Sequence, residues 1–174
     1  CIFHINSNDP DEDPFLIPLS GQGYVPEIEV EQPADTGLVD GASSIDFGTL
    51  PTGSILTKTF TIRSTGSGPL TGLQVTKSGP QSSDFSVGSL ATSTLASGES
   101  TTFTVSFEPS TAGARAAEIQ IASNDADENP FNISLTGLAT GPEIVVEQPA
   151  GVVLTDGVSE IDFGSAHVGL PVIR

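Results

Sequence analysis

Carboxylates and carboxamides crowd into two short stretches of this chain. Residues 8–13 read Asn8-Asp9-Pro10-Asp11-Glu12-Asp13, and residues 124–129 read Asn124-Asp125-Ala126-Asp127-Glu128-Asn129. Hard oxygen donors at this density are what Ca2+ takes. The stretch is no EF-hand, since the central Gly and the terminal Glu are missing. The same residue types also build turns, because Asn and Asp bond nearby backbone N–H groups and a following Pro14 or Pro130 ends the turn. Both readings, a Ca2+ site and a solvated hairpin turn, are open at this point. Other reactive groups are scarce. His4 and His167 have Gln120 and Pro51 at the equivalent repeat positions, so neither recurs as a working catalytic or metal-binding His should. There is no Gly-x-Ser-x-Gly, no phosphate-binding loop and no His-Glu-x-x-His. Gly66-Ser67-Gly68 precedes Pro69, which suits a hairpin turn. Cys1 aligns with Ala117 and is expected to be a buried apolar filler. The sequence therefore points to no enzyme.

The acidic stretches belong to a longer repeat. Residues 7–54 match residues 123–170 without a gap, at an offset of 116, with 27 of 48 positions identical. Ile45-Asp46-Phe47-Gly48 recurs as Ile161-Asp162-Phe163-Gly164. A period of 116 suits an autonomous domain and is too long for a solenoid unit. The expected organisation is the C-terminal strands of one unit at 1–22, a complete unit at 23–138 and the N-terminal part of a third at 139–174. The chain reads as starting in mid-structure, with no signal peptide in view.

What positions the acids is a set of short strands. Phe60 and Ile62 alternate with Thr59, Thr61 and Arg63; Phe103, Val105 and Phe107 with Thr102, Thr104 and Ser106. Ile119 and Ile121 alternate with Glu118 and Gln120; Phe131, Ile133 and Leu135 with Asn132, Ser134 and Thr136. Each is a strand with one apolar face. Further candidates are 27–31, 43–47, 71–77 and 84–88. No stretch carries a helical period. Seven or eight such strands predict an all-β domain, a β-sandwich in preference to a barrel. The linkers are expected at Gly21 to Pro26 and Gly137 to Pro142, stiffened by Pro.

Charge sets further limits. Lys plus Arg is 5 and Asp plus Glu is 22, a net charge of −17. Nucleic-acid binding needs the opposite sign, and no run of about 18 apolar residues offers a membrane span. The single Cys excludes an intrachain disulfide. Residues 50–116 hold three acids and four bases, so the negative charge gathers near the linkers and the last hairpin. A divalent cation would offset that repulsion, and solubility in a salty medium accounts for the same charge. A sequon, Asn132-Ile133-Ser134, has Leu16 at its counterpart.

The motifs IDFGTLPTG at 45–53, TFTIRSTGSGPL at 59–70, SGPQSSDFSV at 78–87 and the stretch 94–137 resemble the choice-of-anchor D domain of bacterial surface proteins. That family is related to the ASH and hydin-like domains. The resemblance covers 23–138 and both flanks, with Ser64 and Ser97 departing from the family's usual Asn and Pro. It implies an immunoglobulin-like β-sandwich, an extracellular or cell-surface location and no active site. In such a fold the last hairpin lies where the chain enters, so Asp125, Asp127 and Glu128 are expected to face Glu27 at a domain junction, a candidate Ca2+ site.

The leading functional expectation is a structural spacer or fibre-forming module. Its partners would be neighbouring repeat units and other copies of the same protein. A protein-binding or adhesion module is the alternative. Glycan binding is disfavoured, because Tyr24 is the one Tyr and the Phe residues take inward parity. A cytoskeleton-docking module is a third reading, opposed by the charge.

Overall fold

The period-two patterns become paired strands across the middle of the chain. The computed structural model describes residues 1–165, 168 and 169; His167 lies outside the described residues. Among the described residues twelve strands run in order: β1 (Ile2–Ile5), β2 (Phe15–Pro18), β3 (Ile28–Glu31), β4 (Ser44–Pro51), β5 (Leu56–Ser64), β6 (Leu70–Thr71), β7 (Gln74–Ser78), β8 (Phe85–Val87), β9 (Thr94–Leu95), β10 (Ser100–Phe107), β11 (Gly113–Ala122) and β12 (Phe131–Thr140). One 3-10 turn, Ser82–Asp84, precedes β8.

Two four-stranded sheets carry the domain. One has the order β3-β5-β10-β8 and the other β4-β12-β11-β7. Pairing is antiparallel except between β4 and β12, which run parallel with Leu135 opposite Ile45 and Thr136 opposite Asp46. Alternate residues from both sheets meet in one apolar core: Ile28, Val30, Ile45, Phe47, Phe60, Ile62, Phe85, Phe103, Val105, Phe107, Ile119, Ile121, Phe131, Ile133 and Leu135. Every strand face assigned from alternation is on the expected side, and Thr102 and Thr104 are exposed. The aromatic rings interlock, with Phe60 and Phe103 stacked at 5.1 Å between centroids and Phe85 and Phe107 at 4.8 Å. This is a mostly β, immunoglobulin-like domain with two packed sheets.

Two expectations change. The expected linker from Gly137 is strand: β12 continues to Thr140, opposite Pro51 of β4. Gly137 is there to make room, since a Cβ would lie 2.6 Å from the Phe107 ring. Cys1 is exposed, not buried, because the β1–β2 hairpin has solvent where Ala117 has a core.

The segment 24–27 is held firmly. Val25 N donates to Ser67 Oγ at 3.1 Å, Gly68 N donates to Val25 O at 3.2 Å and Thr65 N to Glu27 O at 3.0 Å. A Cβ on Gly66 would sit 2.2 Å from Val25 O, so the turn at 65–68 needs glycine for this close approach.

Residues 141–174 form a separate unit. Its described part repeats the local bonds of the first unit. Gln148 N donates to Val152 O at 2.9 Å and Leu154 N to Val146 O at 2.7 Å, as Gln32 N does to Thr36 O at 3.0 Å and Leu38 N to Val30 O at 2.7 Å.

Candidate functional site

The acidic stretch 124–129 forms the tight connection between β11 and β12. Its polar side chains first satisfy the loop itself. Ser123 N donates to Asn129 Oδ1 at 3.2 Å, Asp125 N to Ser123 Oγ at 3.0 Å and Asp127 N to Asp125 Oδ1 at 3.3 Å. These are the local turns that Asn, Asp and Ser favour. The loop is then tied to distant strands. Asn124 Oδ1 accepts from Thr71 N at 2.7 Å and Asn124 Nδ2 donates to Pro69 O at 3.2 Å. Asp125 Oδ2 accepts from Ile28 N, the first residue of β3, at 2.9 Å. Asp125 is buried, one of the few carboxylates in this chain withdrawn from water.

Because Asp125 holds the start of β3, Glu27 comes with it. Carboxylate oxygens of Glu27, Asp125 and Asp127 lie within 4.8 Å of one another. The three were expected together and are together, within one unit. Glu128, expected with them, stands outside that group but feels its charge. Glu27 is held above the ordinary carboxylate range, first by burial and then by Asp125 and Asp127. Glu128 is also raised, by burial and then by Glu27, Asp125, Asp40 and Asp127. The group is thus rich in oxygen donors and poor in cations, and its chemistry suits a hard divalent ion such as Ca2+.

A second charged feature escaped the sequence reading. Asp84 is buried and pairs with Arg115, Nε to Oδ2 at 3.3 Å. Ser110 Oγ and Ser110 N donate to Asp84 Oδ1 at 2.8 and 3.3 Å. Arg115 Nη2 also donates to Ala112 O at 2.8 Å and to both oxygens of Thr111. The pair pins the 3-10 turn to the β10–β11 connection. Asp84 and Arg115 lie 31 residues apart, one in the 3-10 turn and one on β11, with no local signal for a partner, so only the fold brings them together. Arg63 pairs with Glu31 at 3.2 Å, and Asp35 N also donates to Glu31; the Asp35 amide, then Arg63, hold the Glu31 carboxyl below its ordinary range.

His4 is exposed on β1. Among the described residues no helix is long and apolar enough to cross a membrane.

The domain is similar to known proteins. Residues 40–138 match the family model described as the HYDIN/CFA65/VesB-like, Ig-like domain. The match is to an Ig-like domain and not to a protease core. No curated protein matches the chain. Among solved structures, a family 123 glycoside hydrolase from Clostridium perfringens is similar at 7% identity and TM-score 0.47, over 57% of this chain and 23% of that one. The VesB protease of Vibrio cholerae is similar at 22% identity and TM-score 0.42, over 56% of this chain and 30% of that one. The ASH/PapD-like domain 7 of human CEP192 is similar at 14% identity and TM-score 0.45, over 73% of this chain and 94% of that one. The chain thus spans less than a third of the two enzyme chains.

Proposed function

The chain belongs to the HYDIN/CFA65/VesB-like, Ig-like domain family, and from that membership we propose that it is a structural spacer. In this reading each unit is a closed β-sandwich, repeated in tandem every 116 residues in a large secreted or cell-surface bacterial protein. It projects or spaces other domains and does no chemistry of its own. The observation that carries the reading is the repeat: residues 7–54 and 123–170 share 27 of 48 positions without a gap, and the same backbone bonds recur at the same offset. The clamp on residues 24–27 supports a stiff entry into each unit.

The finer part concerns the acids. Glu27, Asp125 and Asp127 hold Ca2+, with Glu128 beside them, and the ion locks the last hairpin onto the first strand. Support comes from the 4.8 Å grouping and the raised Glu27 carboxyl. A cation would remove that repulsion at the place where the chain enters the unit.

Small-angle scattering tests the spacer. A chain carrying two whole units should give an extended profile that changes little with concentration. A compact or freely hinged pair, with Ca2+ and with chelator alike, would overturn the rod. Thermal melts test the ion. Millimolar Ca2+ should raise the melting temperature, and Asp125→Asn with Asp127→Asn should abolish the rise. A melting temperature blind to Ca2+ leaves the acids as a turn.

A further inference from the structure

One lateral side of the two-sheet domain ends in β7 of one sheet and β8 of the other, each at the edge of its sheet. Strand edges carry unpaired N–H and C=O groups, which take up further strands unless something guards them. β8 is held on β10 at both ends, by Gly88 N donating to Thr104 O and Glu108 N to Asp84 O, each at 2.8 Å. That alternation turns the Phe85 and Val87 backbone away from β10, towards the open side.

On the other sheet, Leu73 is buried and Val75 packs against the core. Lys77 follows at the same parity, opposite Ile119, where the pattern calls for another apolar side chain. Its ammonium crosses instead to the facing sheet, donating to Ser82 O at 2.8 Å and to Phe85 O. On the same side Leu73, Val75, Val87 and Leu90 line a cavity of about 540 Å3.

We propose that Lys77 is a clasp that ties β7 to β8 and keeps this side from pairing with a second copy of the unit. It occupies the edge carbonyl of Phe85 that an added strand would need. A charge turned inward on an edge strand guards against such pairing, because a strand docking there would have to strip the ammonium of its acceptors. The consequence for an array, where units of like sequence lie at high local concentration, rests on the repeat reading; the clasp itself belongs to one unit.

Hydrogen exchange and sedimentation velocity on residues 1–174, under reducing conditions, test the proposal in wild type, Lys77→Met and Lys77→Arg. Met keeps an unbranched stem and loses the donors, whereas Arg keeps donors. In Lys77→Met the Gly88 and Glu108 amides should exchange about tenfold faster, the local loosening that follows loss of two bonds from a charged donor. The Thr65 amide, which donates to Glu27 O between β3 and β5, should keep its rate. At matched concentrations Lys77→Met should reach a higher mass than wild type, and Lys77→Arg should match wild type in both readouts. Unchanged Gly88 and Glu108 rates in Lys77→Met would overturn the clasp, as would equal acceleration at Thr65. Faster exchange at the wild-type mass would overturn the exclusion of a second copy. None of these failures touches the spacer assignment, which the scattering profile tests.

Discussion

The loops at 7–13 and 123–129 share most of their residues and all of their local turns, yet only one carries a buried carboxylate. Asp9 N donates to Ser7 Oγ at 3.1 Å and Ser7 N to Asp13 Oδ1 at 2.8 Å, as Asp125 N and Ser123 N do in the other copy. Asp9 is exposed and Asp125 is buried. The difference is the bond from Ile28 N to Asp125. The turn is therefore written in its own seven residues, and its burial is written in a strand 97 residues away. Local hydrogen bonds fix shape in both copies; long-range pairing decides which carboxylate leaves water.

The comparison makes quantitative predictions. The largest effect should come from the paired phenylalanines. Phe131→Ala should cost about 3–5 kcal/mol in denaturant melts, as for a buried Phe in a packed core. Phe15→Ala should cost within roughly 0.5 kcal/mol. Equal losses would mean the two hairpins are equally packed.

The carboxylates come next. Asp125→Ala strands the buried Ile28 N–H and should cost about 1–3 kcal/mol, whereas Asp9→Ala should be near neutral. Asp125→Asn keeps an acceptor for Ile28 N and should recover part of the loss. No recovery would mean that charge, not hydrogen bonding, fixes the loop.

A smaller effect should appear with pH. Glu27 and Glu128 are raised, so the native state binds their protons more tightly than the unfolded chain. Stability should rise as pH falls from neutral through their raised values. Glu31 is lowered, so its contribution is present above the ordinary carboxylate range and is lost as pH falls through its depressed value. Melting temperature should therefore peak on the acid side of neutral. Glu27→Gln should flatten the rise, and Glu31→Gln the fall. The smallest expected change is Ser64→Ala. Ser64 Oγ is buried without a protein partner, and its removal should gain up to about 1 kcal/mol.

Much of this was legible in the sequence. Period-two alternation identified the inward faces of β5, β10, β11 and β12, because an antiparallel sheet with one wet face leaves that trace. The repeat marked both acidic loops, and immunoglobulin-like connectivity brought Glu27 to Asp125. Gly137 misled because glycine serves both a turn and a close approach; only the Phe107 ring distinguishes them. Cys1 misled because inward parity implies burial only where a second sheet covers the face. The Asp84–Arg115 pair was invisible because a charge in a turn, like Asp84, or on a strand, like Arg115, usually marks the solvated side.

One measurement bears most directly on the claim that residues 141–174 open a further unit of the same fold. Residues 56–138 would be appended after residue 171, the position equivalent to Ile55, to complete a second unit from this chain's own sequence. Hydrogen exchange would then be followed at the Ile144 amide, the copy of the Ile28 amide that donates to Asp125. The account predicts that Ile144, open to exchange in the 174-residue chain, becomes as protected as Ile28 in the extended one. An Ile144 amide that stays open, beside a fully protected Ile28, would contradict it.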